Sequence, residues 1–257
     1  MNNSKKSPLK DKPLHVAGQS IDEQIHDYLL DNVSMYFAIP VVLAFGTIMV
    51  WLYWAFPKIY IPIILTIITL LVIIYCAFRL AFLYKKIKSL ALGRNGERIV
   101  AEMLDNLRSK GFTVFHDIVD NNKHFNIDHV ILSPHGIFTV ETKTFSKPPN
   151  GEIIYKDDNI IAGNFNIGNK IIIQAESQTK WLKTMLKEST GKDYNTMPVI
   201  VFPGWFVQPM PEYLKKRLWI LNPMALDSFI SNEPVRIQES DMCLAAFHIS
   251  RYIRMYN

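Results

Sequence analysis

"FNIDHVILSPHGIFTVETKT", residues 125–144, contains two apolar, β-branched runs that are separated by a short turn. This is the sequence pattern of a β-hairpin. If Pro134 and His135 are the two loop residues, Ser133 pairs with Gly136 across the turn. That register determines which side chains lie opposite each other along the whole hairpin.

Three charged side chains share one face of the hairpin in this register. Asp128 lies opposite Glu141, and Lys143 projects to the same side as Glu141 because side chains two residues apart share a face. Opposed like charges destabilise a sheet, and the apolar neighbours indicate that the hairpin is largely buried. A bound divalent cation would resolve this conflict, because Mg²⁺ binds through one or two carboxylates and keeps several waters. The spacing predicts metal-assisted phosphodiester hydrolysis, with Lys143 orienting the attacking water or offsetting developing charge.

The sequence around the hairpin alternates between helical and β-rich segments, which is typical of an α/β domain. We therefore predict a mixed sheet flanked by helices over residues 96–257. The predicted elements are a helix over 97–110, strands over 112–119, 125–132 and 136–144, a small hairpin over 151–165, a helix over 171–187, strands over 197–202 and 219–221, and helices over 224–230 and 237–255.

Two uncharged segments, residues 35–56 and 59–78, are each long enough to cross a hydrocarbon core of about 30 Å. They predict a transmembrane helical hairpin over residues 35–83, with the lipid bilayer as a partner. A signal peptide is the alternative for the first segment, but the polar leader is long and no small-residue cleavage site follows. Lysine and arginine cluster on both sides of the hairpin, whereas the turn holds only Lys58, so both termini are expected in the cytoplasm.

The regions on either side of the hairpin carry little signal. Residues 1–34 are expected to be a polar cytoplasmic tail with at most a short helix over 21–30, and residues 84–95 a basic linker whose helix ends at Gly93. The net charge of +5 permits a polyanionic partner without requiring one. The two cysteines have no metal-ligand or disulfide spacing.

Three stretches resemble the nuclease-related domain, NERD, a branch of the restriction-endonuclease-like PD-(D/E)xK superfamily. They are GRNGERIVAEML (93–104), the hairpin quoted above, and QAESQTKWL (174–182). The resemblance extends over residues 92–186 and implies a restriction-endonuclease-like fold. It also implies that Mg²⁺ or Mn²⁺ is the cofactor and that nucleic acid is the partner, with DNA favoured over RNA.

The same resemblance assigns roles to five residues. Asp128 and Glu141 correspond to the metal ligands, and Lys143 corresponds to the catalytic lysine. Glu97 is the carboxylate of the preceding helix, and Gln174 lies near the scissile phosphate. Many relatives have Asn or Asp and then Gly after this lysine, where the present chain has Thr and Phe at 144–145. The departure affects the exit of the strand and leaves the charged residues intact.

Each of these residues also has a structural interpretation. Glu97 is placed where any acid would favour the positive end of a helix. Glu141 and Lys143 could neutralise each other on a solvated edge, and Gln174 could lie on a wet helix face with Gln178. His129 is expected on the opposite face from Asp128 as a structural histidine.

Two classes of function follow. The first is a metal-dependent nuclease tethered to the cytoplasmic face of a membrane, expected to be a bacterial inner membrane. The alternative is a catalytically idle nucleic-acid binding module or a membrane scaffold.

Overall fold

The computed structural model describes residues 13–53, 60–120 and 126–256. The chain divides into two compact units, one formed by residues 1–20 together with 93–257 and the other by residues 21–92. Three predictions lie outside the described residues. They are the lysines before the transmembrane hairpin, the turn at Lys58 and the start of a strand at Phe125.

The chain begins with a short polar helix and a short π-helix, which two long helices with apolar segments follow. Helix α1 spans Gln19–Asp27, a π-helix spans Tyr28–Val33, α2 spans Ser34–Tyr53 and α3 spans Tyr60–Arg108. By length and composition, two helical stretches, Gln19–Leu52 and Tyr60–Arg108, could cross a membrane. Only 6% and 17% of their most apolar windows are buried in the protein. The core helix of a soluble protein would instead be mostly covered.

Polar side chains within the apolar unit bond to one another. Thr47 Oγ1 and Thr69 Oγ1, on α2 and α3, lie 2.8 Å apart, and Trp51 Nε1 donates to Thr66 Oγ1 at 3.0 Å. These two hydrogen bonds link the two apolar helices to each other.

Helix α3 runs without interruption through Gly93, where we expected a helix to end. The predicted helix over 97–110 is its last part, and α3 ends at Arg108. Glycine inside a helix costs only about 1 kcal/mol relative to alanine, so it need not stop one. Gly96 has a packing role, because a Cβ placed there would lie 1.7 Å from Thr144 Oγ1. Its missing side chain lets α3 approach the chain just beyond Lys143.

The strands form two mixed sheets, in agreement with the predicted α/β class. Their bounds are β1 Thr113–Val119, β2 Asn126–Ser133, β3 Gly136–Thr142, β4 Glu152–Lys156, β5 Asn159–Ala162, β6 Phe165–Gly168, β7 Thr196–Val201, β8 Phe206–Val207 and β9 Trp219–Leu221. The larger sheet has the order β1-β2-β3-β7-β9, and the smaller has the order β6-β5-β4-β8. In the larger sheet β1, β2 and β3 are antiparallel, whereas β3, β7 and β9 are parallel.

The hairpin of β2 and β3 has the register that the turn predicts. Ser133 pairs with Gly136, and the ladder continues to His129 and Val140. Asp128 and Glu141 follow directly after this last pair, so they emerge where the two strands begin to separate.

Both faces of the larger sheet are covered. The remaining helices are α4 Lys170–Thr190, α5 Glu212–Lys215, a 3₁₀ helix Pro223–Ala225, α6 Leu226–Ser231 and α7 Glu239–Tyr256. Val100 of α3 packs in one core cluster with Ile131 of β2, and Leu182 of α4 packs in a second cluster with Val130. Neighbouring residues of β2 thus point into opposite core clusters. Because both faces of the sheet are covered, β3 is buried along its whole length.

Candidate functional site

The carboxylate of Asp128 is held at the end of the hairpin. Its Oδ2 accepts a hydrogen bond of 2.7 Å from the backbone N–H of Thr142. This N–H lies beyond the last β2–β3 pair, so the Asp128 side chain takes the place of a backbone acceptor. The bond brings Asp128 to the chain segment that carries Glu141, and only 5% of Asp128 is exposed.

Three amide or ammonium groups surround the Glu141 carboxylate, which is only 2% exposed. Lys143 Nζ lies 2.5 Å from Oε1, and Gln174 Nε2 donates to the same oxygen at 2.8 Å. Gln178 Nε2 donates to Oε2 at 2.7 Å. The two glutamines are four residues apart on α4 and therefore lie on one face of that helix. Helix α4 thus fixes the orientation of Glu141.

Gln178 is a member of this site that the sequence did not identify. It is 1% exposed, so it does not lie on a wet helix face. Its Nε2 also donates to the backbone oxygen of Asn126 at 2.6 Å. The signal that could have identified it is its spacing of one helical turn from Gln174, since both amides then point at the same acceptor.

Glu97 reaches the same region from α3 and is 6% exposed. Among the described residues its Oε2 has no hydrogen-bond partner. The pKa of Glu97 is raised to about 8, mainly by burial and also by the charges of Asp117 and Glu141, against the lowering effects of Lys143 and a hydrogen bond from the Gly18 backbone. Glu97 therefore keeps its proton at neutral pH, because the surrounding side chains do not neutralise a negative charge at this position.

The pKa of Asp128 is shifted in the same direction. Burial raises its pKa well above the usual range, and the charges of Glu141 and Glu97 act in the same direction. The bond from Thr142 and the charge of Lys143 oppose them. The three acids therefore repel one another across a small buried volume.

Lys143 is the cation of the cluster, and its side chain is 24% exposed. Burial alone would lower the pKa of Lys143, but its attraction to Glu141, Asp128 and Glu97 raises it. The ammonium is thus protonated and has one side open to solvent. The solvated-edge interpretation does not fit this pair, because the Glu141 side chain is only 3% exposed.

The donor set was tested for its fit to a metal. No group of three or more His, Cys, Asp or Glu side chains within residues 13–53, 60–120 and 126–256 has the arrangement of a metal centre. Mg²⁺, however, needs only one or two carboxylates beside water. Asp128 and Glu141 supply hard oxygen ligands. A bound cation would neutralise the charges of these carboxylates, which otherwise repel each other and Glu97. These residues fit Mg²⁺ or Mn²⁺ better than a metal that requires nitrogen or sulfur ligands.

His129 points away from the acids, as the strand alternation predicts. Its Nδ1 lies 2.9 Å from Nδ1 of His116, and its Nε2 lies 3.3 Å from Thr142 Oγ1. Burial lowers the pKa of both histidines. Two neutral rings that bond each other have a structural role rather than a ligand role.

We expect Glu97→Gln to stabilise the metal-free protein at alkaline pH. The pKa of Glu97 is about 8 when folded and 4.5 ordinarily, so the unfolded chain releases a proton that the folded protein retains. The stability from this group is full below the ordinary pKa and falls as the pH rises towards the folded pKa, by about 1.4 kcal/mol per pH unit.

Thermal unfolding of the full-length protein with EDTA, at about pH 5 and about pH 8, measures this effect. The melting temperature of the wild type should fall more between the two conditions than that of Glu97→Gln. Glu102→Gln, at an exposed position of the same helix, should behave like the wild type. Equal pH dependences of all three proteins would contradict the assignment of a buried proton to Glu97.

Comparison with known families identifies a match over part of the chain. The model of the family described as Nuclease-related domain, NERD, matches residues 92–203. Searches of curated proteins and of solved structures find no match to this chain. The matched segment begins in α3 before Glu97 and ends just after β7. It therefore includes the acidic cluster, which consists of Glu97, Asp128 and Glu141. The resemblance carried by the sequence motifs is confirmed for residues 92–203, which match the nuclease-related domain family.

Proposed function

We propose that this chain is a membrane-anchored nuclease that hydrolyses phosphodiester bonds with the help of Mg²⁺ or Mn²⁺. One observation carries the proposal. Within a segment that matches the nuclease-related domain, the buried Glu141 carboxylate is paired with the protonated Lys143, and its charge acts on the buried Asp128. Structural packing does not require this combination, because a buried cluster of acids is costly unless something compensates for its charge.

The side chains have distinct tasks in the proposed reaction. Asp128 and Glu141 would hold the cation, which when bound polarises a phosphate oxygen and lowers the pKa of a water ligand. Lys143 carries a positive charge on the exposed side of Glu141 and would offset the charge that develops on the phosphate. Gln174 Oε1 accepts a hydrogen bond from Lys143 Nζ at 3.4 Å and keeps the ammonium in place. Gln178 holds Glu141 from the buried side.

The substrate and the location are parts of the same proposal. DNA is preferred to RNA because of the family resemblance, and the net charge of +5 is compatible with a polyanion. The two long apolar helices support an anchor of two spans. The distribution of lysine and arginine around them supports cytoplasmic termini, and we place the protein in a bacterial inner membrane.

Incubation of the full-length protein in detergent micelles with plasmid, linear duplex, single-stranded DNA and RNA tests the proposed activity. Each substrate is offered with Mn²⁺, with Mg²⁺ and with EDTA. We expect cleavage of DNA with either cation and none with EDTA. Binding of DNA without cleavage of any substrate would instead favour an idle binding module.

A further inference from the structure

The segment that leads into helix α1 and includes its first two residues is docked on the nuclease-related domain. Residues 13–20 belong to the same compact unit as residues 93–257. We call this segment the strap. The sequence had suggested a polar tail without a defined structure here, because the segment is short and has little apolar periodicity. Its contacts are to residues that lie far away along the chain.

Asp117 is the anchor of the strap. It is fully buried in β1 between His116 and Ile118, whose pairs with β2 keep one register on both sides of it. Its carboxylate accepts bonds from Ser20 N at 2.5 Å and from Ser20 Oγ at 2.7 Å, while its backbone oxygen lies 2.6 Å from His15 Nδ1. The φ angle of 50° at Asp117 is rare for a residue other than glycine, and surrounding contacts must maintain it.

The strap reaches the acidic cluster through Gly18. The backbone of Gly18 donates a hydrogen bond to the Glu97 carboxylate. Gly18 has a φ of +72°, and a Cβ placed there would lie 2.9 Å from Arg94 Cγ. Both the conformation and the close approach favour glycine at this point. Asn126 connects the two sites, because its Nδ2 donates to Asp117 and to Ser20 while its backbone oxygen accepts from Gln178.

The burial of the acids conflicts with the proposed chemistry. Glu97, Asp128 and Glu141 are 6%, 5% and 2% exposed. A phosphodiester within a polymer is bulky and has to come close to the carboxylates before it can share a cation with them. Part of the cover must therefore move, and the strap is the cover on the Glu97 side.

The strap has few buried apolar contacts that would hold it on the domain. Ala17 and Gly18 are buried, whereas Leu14 and Val16 are exposed. Its attachment therefore depends on a few hydrogen bonds around Asp117 rather than on a large apolar contact. Segments with few buried apolar contacts are the ones that open locally at low free-energy cost.

We propose that the strap is an autoinhibitory cover that closes the Glu97 side of the site and has to undock before a nucleic-acid phosphate reaches the acids. This inference rests on the proposed nuclease function. It assigns Ser20 and Asp117 as the latch and Gly18 as the contact with the site. Weakening the latch should increase activity, an outcome that damage to the fold cannot imitate.

Docking is measured by the rate at which a charged maleimide labels Ala17→Cys in the full-length protein. The exposed Cys243 is changed to Ser in every variant, and Cys76 lies in a candidate membrane span that a charged reagent does not enter. Ser20→Ala removes a hydrogen bond to a carboxylate and should raise the labelling rate about tenfold. Val16→Ala, on the exposed side of the strap, should leave the rate unchanged.

Cleavage of linear duplex DNA with Mn²⁺ is then compared in otherwise native proteins. Ser20→Ala and Gly18→Ala should both raise kcat/KM, and Val16→Ala should not. The proposal is overturned if labelling rises while cleavage stays equal or falls, or if neither latch variant changes labelling. If no protein cleaves or binds DNA, the proposed function fails and the gating role fails with it, whereas the labelling rates still report docking independently of catalysis.

Discussion

Glu141→Gln is expected to lower kcat for phosphodiester cleavage roughly a thousandfold. The substitution keeps the shape of the side chain but removes the charge that pairs with Lys143 and that would hold the cation. An amide also cannot accept the bonds of Gln174 and Gln178 on both of its terminal atoms. Single-turnover cleavage of DNA with saturating Mn²⁺ measures the loss.

The folded state of this variant needs its own control. Glu188→Gln, at an exposed position on α4, removes the same charge from a different place and should retain full activity. Glu141→Gln should have a lower melting temperature because the buried pair with Lys143 is lost, so circular dichroism has to show that it is folded at the assay temperature. Cleavage within tenfold of the wild type in a folded Glu141→Gln protein would remove Glu141 from the reaction.

The removal of divalent cations should have an effect of similar size. EDTA is expected to abolish cleavage, and Mn²⁺ at about a hundred times its dissociation constant should stabilise the wild type by about 2.7 kcal/mol. The stabilisation arises because the cation neutralises acids that repel one another when no cation is present. Thermal unfolding with and without Mn²⁺ measures it.

The matched variant for this experiment is Asp128→Asn combined with Glu141→Gln. It lacks both proposed ligands, so its melting temperature should not respond to Mn²⁺. Cleavage that persists in EDTA, or an equal thermal shift in the wild type and the double variant, would show that the cation acts elsewhere.

The central geometry of the site was accessible from the sequence because it is local. A two-residue turn at Pro134-His135 sets the register of its own hairpin, and the alternation of side chains then places Asp128, Glu141 and Lys143 on one face. The structure agrees with this register from Ser133 back to His129. The assignment of Glu97 and Gln174 needed the family resemblance, since their distance along the chain gives no local signal.

Contacts that depend on tertiary structure could not be predicted in this way. Asp117 has a positive φ within β1, and nothing in residues 13–20 indicates that they bond to it. Helix α3 continues through Gly93, and Gly96 packs against Thr144, a contact that the local pattern does not contain. The strands β6 and β8 are short and partly exposed, so they lack the apolar runs by which strands are recognised.

The most direct test of the account is a crystal structure of the protein with Mn²⁺, using anomalous diffraction to locate the ion. We predict an anomalous peak within ligand distance of carboxylate oxygens of both Asp128 and Glu141, with Lys143 beside it. A well-ordered structure with Mn²⁺ bound elsewhere, or with these two carboxylates directed away from each other and sharing no ion, would contradict the proposed metal-dependent nuclease.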